Sequence, residues 1–496
     1  MEGRCLKKSF ALLVAVAIAA PFSVAPVEAT SQAIRSNERY TVRQKKIRNG
    51  LVFYRIRDNK GPNQIRVLEM DPATELTLDV ELANDTIPGH ERTSSMATRR
   101  NAVAAINGDY TVLPSSPYAG RPVHTFAEDA RLVTSPLLFG RNFAIAQDES
   151  ATFVGHPKFR STLTQADTGE AWRIDAWNDV PTTDTFTILT PEGGSTYRPP
   201  FDACSARLFP QGSVSWGEEQ VGISQSFTVD AVKCAASRMA RRGGFILTSR
   251  LGGEKAFSMN QSLVAGETVH LSWSTGWPGI VDTVGGNPSL LENGTITAES
   301  CTGSSFCNRH PRTGIGVTVE GKILLVTVDG RQPGWSVGLR IPAFAKLMKR
   351  LGAVSALNLD GGGSTTMWLQ GKIKNRVSDA SERPVGSSIL VLRGRDADEP
   401  VPLPFPGPFP TPSPVPTPGF EDLPELHNLP EPDRAEFAGR GACRPLNDPA
   451  STGGLLDMIE SGRHGRARSF APALRRALEV FRDERTCRSL LGLPRR

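Results

Sequence analysis

Between residues 40 and 398 the apolar residues fall in short runs, broken by glycine, proline, asparagine and aspartate. That pattern predicts alternating strands and turns with few helices, and Gln64 to Glu69, Ala102 to Ile106 and Phe245 to Thr248 read as strands. The clearest unit lies near the end of this region. Lys322 to Val328 is an apolar run that stops at Asp329-Gly330. Pro342 then opens a helix with Ile341, Phe344, Ala345, Met348 and Leu351 on one face, and Gly352 closes it. Ala353 to Leu359 is a second apolar strand, ending at Asp360 and three glycines. Strand, helix and strand predict a βαβ unit with parallel strands. The expected class is therefore α/β (mixed α+β), a strand-rich domain around a mixed sheet.

The flanks follow other patterns. Arg4, Lys7 and Lys8 precede an apolar run from Phe10 to Ala20, and Val27-Glu28-Ala29 follows. Residues 1–29 thus read as a secretory signal, leaving a large domain at 30–398. From Pro400 to Pro418 every second residue is proline, which predicts an extended linker over 399–420. Residues 421–496 read as a small Arg-rich helical module. Phe470, Leu474, Leu478 and Phe481 recur there at helical spacing among Arg475, Arg476 and Arg482. Its basic face predicts either contact with an anionic envelope polymer or simple solvation.

Composition changes this picture in three places. Across 496 residues, 57 basic side chains face 51 acidic ones, so the net charge of +6 is mild and nucleic-acid binding is not predicted. No apolar stretch is long enough to predict a transmembrane helix. Once Cys5 leaves with the signal, six cysteines remain, and proximity favours the pairs 204–234, 301–307 and 443–487 among the possible connectivities. Disulfides fit a secreted or cell-envelope protein.

Candidate chemistry gathers where the apolar runs end. Asp329 and Asp360 end the two strands of the βαβ unit, and Asn107-Gly108-Asp109 ends another. Carboxylates converging on one sheet edge suit hydrolysis of a glycosyl or phosphoryl bond. Gly361, Gly362 and Gly363 would let backbone N–H groups converge on an anion, with Ser364 and Thr365 adding hydroxyls. Arg312 would offer a fork to phosphate oxygens. The same glycines also suit an ordinary tight turn.

These segments resemble the phosphodiester glycosidase family. The resemblance rests on ERTSSMATRRNAVAAINGDY (91–110), VGGNPSLLENG (284–294), RHPRTGIGV (309–317), LLVTVDGR (324–331), LGAVSALNLDGGGSTTM (351–367) and ERPVGSSILVL (382–392), with core motifs over 75–398. It implies hydrolysis of a sugar-1-phosphodiester at the anomeric carbon, freeing the sugar and leaving a phosphomonoester. The matching positions are Asn107, Gly108, Asp109, His310, Arg312, Asp329, Gly330, Asn358, Asp360, Gly361, Gly362, Gly363 and Ser364. Of these, Asp360 or Asp109 is expected at the anomeric carbon, with Asp329 nearby. Arg312 and the glycine loop are expected on phosphate, and His310 and Asn358 as substrate-orienting groups. Tyr110 stands where the family more often has Phe, a change expected to matter little to chemistry. No cofactor is expected; a divalent cation held by Asp109, Asp329 and Asp360 is the alternative. Two other functions stay open, a metal-dependent phosphodiesterase and a non-catalytic polysaccharide-binding protein.

Overall fold

The computed structural model describes residues 36–394, apart from 114–117, 137–139, 147–151, 194–195, 198–201, 213, 215–222, 235–238, 278–279, 299 and 302. The signal segment, the proline-rich linker, the Arg-rich module and the 443–487 cysteine pair lie outside the described residues.

Two eight-stranded sheets dominate. The first runs Tyr40–Arg48, Leu51–Asp58, Asn63–Met70, Ile323–Val328, Arg312–Thr318, Ala353–Asn358, Ser289–Glu292 and Thr295–Ile296 in spatial order. One face packs on the helix Ile341–Arg350, through Ile65, Val67, Leu324, Val326, Phe344 and Met348. The other face packs on a five-stranded sheet that includes Leu76–Leu82, Ala104–Asn107 and Ser387–Arg393. The second large sheet holds a separate core around Trp177, Phe227, Phe245 and Trp273, covered by the helix Glu254–Ser262.

The fold is mainly β rather than α/β, with three α-helices among the described residues. The predicted βαβ unit is present in part. Pro342 sits in the first turn of the helix Ile341–Arg350, and Gly352 closes it at φ +96°. The two strands point the same way, but they are not neighbours. Arg312–Thr318 lies between them, antiparallel to both, so this sheet is antiparallel rather than mixed. The reason lies in the middle strand's own residues. A Cβ at Gly314 would stand 2.8 Å from the Phe344 ring, and one at Gly316 would stand 2.9 Å from the Met348 methyl. Bare backbone at both positions lets this strand run directly beneath the helix.

Two of the expected disulfides form. Cys204 and Cys234 face each other across adjacent strands, and Cys301 joins Cys307 across six residues. No helix among the described residues is long and apolar enough to cross a membrane.

Candidate active site

Topology assembles the site at one edge of the first sheet. Arg312 pairs with Val328 and Gly314 with Asn358, so the start of the middle strand meets the ends of both its neighbours. Asp329 and Asp360 leave the sheet on either side of it. The five-stranded sheet delivers Asn107-Gly108-Asp109 to the same place, and the Asp360 amide donates to Gly108 O at 3.2 Å.

Asn107 is the staple. Its Nδ2 donates to Asp360 O at 2.7 Å, while its Oδ1 accepts from Thr313 Oγ1 at 2.8 Å and the Thr366 amide at 3.1 Å. With donor and acceptor both engaged on protein, Asn107 is a positioning residue.

The three aspartates have different surroundings. Asp360 is partly exposed, accepts from Ser364 and the Gly361 amide, and is pushed up to about 6. Burial is the main cause and Asp109 adds to it, against the pull of Ser364, Arg383 and the Gly361 amide. Asp109 is fully buried and bound at both oxygens by one residue. Its Oδ1 faces His124 Nδ1 at 2.7 Å, and its Oδ2 accepts from the His124 amide at 2.8 Å. A carboxylate can only accept, so His124 Nδ1 carries the proton. His124 Nε2 is buried with no hydrogen-bond partner among the described residues. Asp329 is buried and raised above its ordinary value by desolvation. It holds a loop, accepting from Trp335 Nε1 at 2.9 Å and the Arg376 amide at 3.1 Å.

The cations are arranged differently from expectation. Arg312 is buried and lowered to about 10 by desolvation. Its Nε donates to Leu339 O at 3.0 Å, and its Nη2 donates to Phe306 O at 2.6 Å and Asn308 O at 2.7 Å. Two of its three nitrogens are therefore spent on backbone carbonyls, Nη2 on the segment that the Cys301–Cys307 bridge closes and Nε on Leu339, and these two cannot form a phosphate fork. His310 Nε2 donates to Ser305 O at 2.9 Å in that same bridged segment. This leaves Nδ1 to accept from Arg331 Nε at 3.3 Å. Burial, with Arg331 and Arg312 nearby, lowers the His310 pKa and favours this neutral form.

The glycine loop is one turn of 3-10 helix. Its amides serve the protein itself: Gly361 donates to Asp360, Gly362 to Pro311 O at 3.0 Å, and Ser364 to Gly361 O at 3.2 Å. Of the three glycine amides only that of Gly363 has no acceptor among the described residues, so these residues do not build a cradle of several converging free N–H groups. Their missing side chains make room instead. A Cβ at Gly361 would stand 2.8 Å from Pro311 O, and one at Gly330 would stand 2.5 Å from Pro311 N. A Cβ at Gly362 would meet the Arg331 guanidinium at 3.0 Å, and one at Gly363 would collide with Arg383 and Asp379. Gly362 also sits at φ +61°, where a side chain is strained. Gly108 lies close against Ser387, leaving no room for a side chain there either.

Arg331 and Arg383 are both exposed and flank the loop. Sequence reasoning missed both as functional residues, although each lies within a quoted motif, Asp329-Gly330-Arg331 and Glu382-Arg383-Pro384. It also missed His124, which no motif marks.

Tyr110 plays a structural part. Its hydroxyl donates to Asn287 O at 2.8 Å and accepts from Asn358 Nδ2 at 2.7 Å. Asn358 Nδ2 also donates to Asn287 O at 2.8 Å and to Leu359 O at 3.0 Å, so its amide is held by protein. Phenylalanine at 110 would lose this link between strand ends.

Nor do Asp109, Asp329 and Asp360 form a metal cluster. Among the described residues, the acidic groups with ligand atoms within 4.8 Å of one another are Asp79, Asp129 and Asp282, and Glu81, Asp85 and Glu128. Arg99, Arg100 and Arg131 run through both groups as ion-pair partners.

Residues 220–392 match the sequence profile of the family described as phosphodiester glycosidase. This segment resembles the phosphodiester glycosidase family. It holds His310, Arg312, Asp329, Arg331, Asn358, Asp360 and Arg383, while Asn107 and Asp109 reach the site from outside it.

The chain is 33% identical over 103 residues to mouse N-acetylglucosamine-1-phosphodiester alpha-N-acetylglucosaminidase, covering 18% of this chain and 20% of that protein. It is 35% identical over 95 residues to the SPbeta prophage-derived uncharacterized protein YomE of Bacillus subtilis (strain 168), covering 19% of this chain and 15% of that protein. The chain thus spans a fifth or less of the curated relatives it matches. In overall fold it is similar to a hypothetical protein from Synechocystis, with a TM-score of 0.58 at 21% identity, over 71% of this chain and 63% of that one.

Proposed function

We propose that this chain as a whole is a phosphodiester glycosidase, an exported hydrolase of a sugar-1-phosphodiester. It cleaves the bond between the anomeric carbon and the phosphate oxygen, releasing sugar and a phosphomonoester. The observation that carries this reading is Asp360, a carboxylate raised to about 6 beside a glycine loop flanked by Arg331 and Arg383. A phosphomonoester leaves readily, so the demand falls on a carboxylate acting at the anomeric carbon and on cations at the departing phosphate.

Asp360 takes the first role, as base toward water or as nucleophile. Arg331 takes the second in place of Arg312, through the Nη1 and Nη2 that its bond to His310 leaves, and Arg383, whose Nε and Nη2 donate to Asp379 at 2.9 and 2.7 Å, adds its charge and Nη1. Asp109 acts through His124 instead of on substrate directly, and Asn107, Asn358 and Tyr110 hold the strand ends in register. The N-acetylglucosamine phosphodiester named for the mouse relative is the first substrate to test. The two disulfides support an oxidising compartment outside the cytoplasm.

A phosphorus NMR time course in oxygen-18 water tests the bond broken. The label is expected in the sugar, and label in the phosphate instead would mean P–O cleavage and sink this reading. Arg331→Gln and Arg383→Gln are each expected to lower kcat/KM about tenfold, because a charge-assisted hydrogen bond contributes roughly 1.5–3 kcal/mol. Unchanged kcat/KM in both variants would remove them from the phosphate site.

A further inference from the structure

The strand Tyr40–Arg48 and its neighbours carry charge in a pattern that folding alone disfavours. Arg43 stands directly opposite Arg55, and Arg55 directly opposite Arg66, so three guanidinium-bearing residues form one row across three strands. Like charges placed directly opposite destabilise a strand pair. Alternate residues share a face, which adds Lys45 and Arg57 to the same side.

The 372–376 segment folds onto this face, where Arg66 Nε donates to Lys374 O at 3.1 Å. The Lys374 ammonium lies below its ordinary pKa, through burial and then the nearby charges of Lys372, Arg55 and Lys45. Arg43, Lys45, Arg55, Arg57, Lys372 and Arg376 are exposed, and none forms an ion pair among the described residues.

One end of this basic face meets the candidate site. The Arg376 amide donates to Asp329, and its guanidinium lies 5.9 Å from the centre of the Trp335 ring. Trp335 is 36% exposed, yet a buried carboxylate fixes its indole nitrogen. Spending Asp329 on an exposed ring makes sense when that ring is a platform for a ligand.

We propose that this face is a track for an extended glycan with repeating phosphodiesters, delivering them toward the strand-end site past Trp335. The proposal rests on reading that site as a phosphodiester glycosidase. Three strands at about 4.8 Å spacing make the row about 10 Å wide, which exceeds the reach of a single phosphate. The exposed aromatic at its end is one indole, instead of the series of rings on which single-stranded nucleic acid stacks.

The test measures binding in Asp360→Asn protein, where turnover does not consume the probe. The probes are a linear poly(N-acetylglucosamine 1-phosphate) of about ten repeats, a single-repeat methyl phosphodiester, an oligodeoxynucleotide of matched charge and phosphatidylglycerol vesicles. In an added Arg43→Gln/Arg55→Gln/Lys374→Gln triple variant, polymer affinity is expected to fall at least about tenfold. The slope of log affinity against log salt should fall by about 2, at roughly 0.7 per lost phosphate contact. Single-repeat affinity should change much less.

Removing like charges should not lower the thermal midpoint. If it does, the salt slope of the parent protein decides, since a flat slope also overturns the track. Equal polymer affinity in triple variant and parent overturns the proposal. So does binding of the oligonucleotide or the vesicles as tight as that of the polymer, with the same loss in the triple variant. Polymer binding that follows these residues, with no turnover by the wild type, keeps the track and removes the glycosidase reading. Turnover of the single repeat without polymer binding does the reverse.

Discussion

Asp360→Asn is expected to lower kcat/KM by about 10³-fold, within the range set by losing a carboxylate that acts on the reacting atoms. Asparagine keeps the shape and one acceptor oxygen for the Ser364 and Gly361 donors, so the loss reports chemistry. The pH dependence follows from the raised value of about 6. As base or nucleophile Asp360 works ionised, so kcat/KM should be full above that pH and fall as pH drops through it. The stability sign is the opposite one. A carboxyl raised in the folded state favours its protonated form there, so ionising it between the ordinary carboxylate range and about 6 costs stability. The Asn variant should therefore melt no lower than wild type at neutral pH. Rate profiles between acid and neutral pH, with thermal melts alongside, check both. An Asp360→Asn protein that keeps more than a tenth of wild-type activity would take Asp360 out of the role.

How much of this was readable beforehand depends on which property each residue expresses. Asp360 and its glycines were legible because a strand that stops at aspartate and three glycines is locally unusual. The helix Ile341–Arg350 was legible from Pro342, Gly352 and one apolar face. Strand order was not. KILLVTV and AVSALNL read alike as neighbours or as flanks of a third strand, and the cue lay in Gly314 and Gly316, which matter only once a helix lies over them. Arg312 is the instructive error. It is a cation at the site edge, but its place at the start of a wholly buried strand turns its donors onto backbone carbonyls. Arg331 and Arg383 look like ordinary surface arginines until the loop's missing side chains are seen to admit them. His124 becomes visible only when Asp109 is found bound to it.

Arg121→Met is expected to be the most destabilising single change considered, lowering stability by about 4 kcal/mol and the thermal midpoint by about 10 °C. The Arg121 side chain is fully buried. Its Nε donates to Asn178 O at 2.6 Å and its Nη1 to Pro122 O at 2.7 Å, while Nη2 donates to Ser135 O at 2.6 Å and Trp177 O at 3.0 Å. Methionine fills much of the volume but leaves four carbonyls without these donors, each costing on the order of 1 kcal/mol. Trp177 belongs to the core of the second large sheet, and Asn178 Nδ2 reaches back to Val133 O, in the core beneath the first. One guanidinium thus ties the two halves together. Lysine should not rescue the variant, because a point ammonium on a flexible stem cannot span four acceptors that a planar fork reaches at once. Three residues further on, His124 bonds Asp109 through both its amide and its ring, so loosening Arg121 also loosens that pair. Activity should therefore fall faster on warming than the folded fraction measured by circular dichroism. A midpoint within about 2 °C of wild type would show that water replaces the lost donors and that Arg121 is dispensable to the junction.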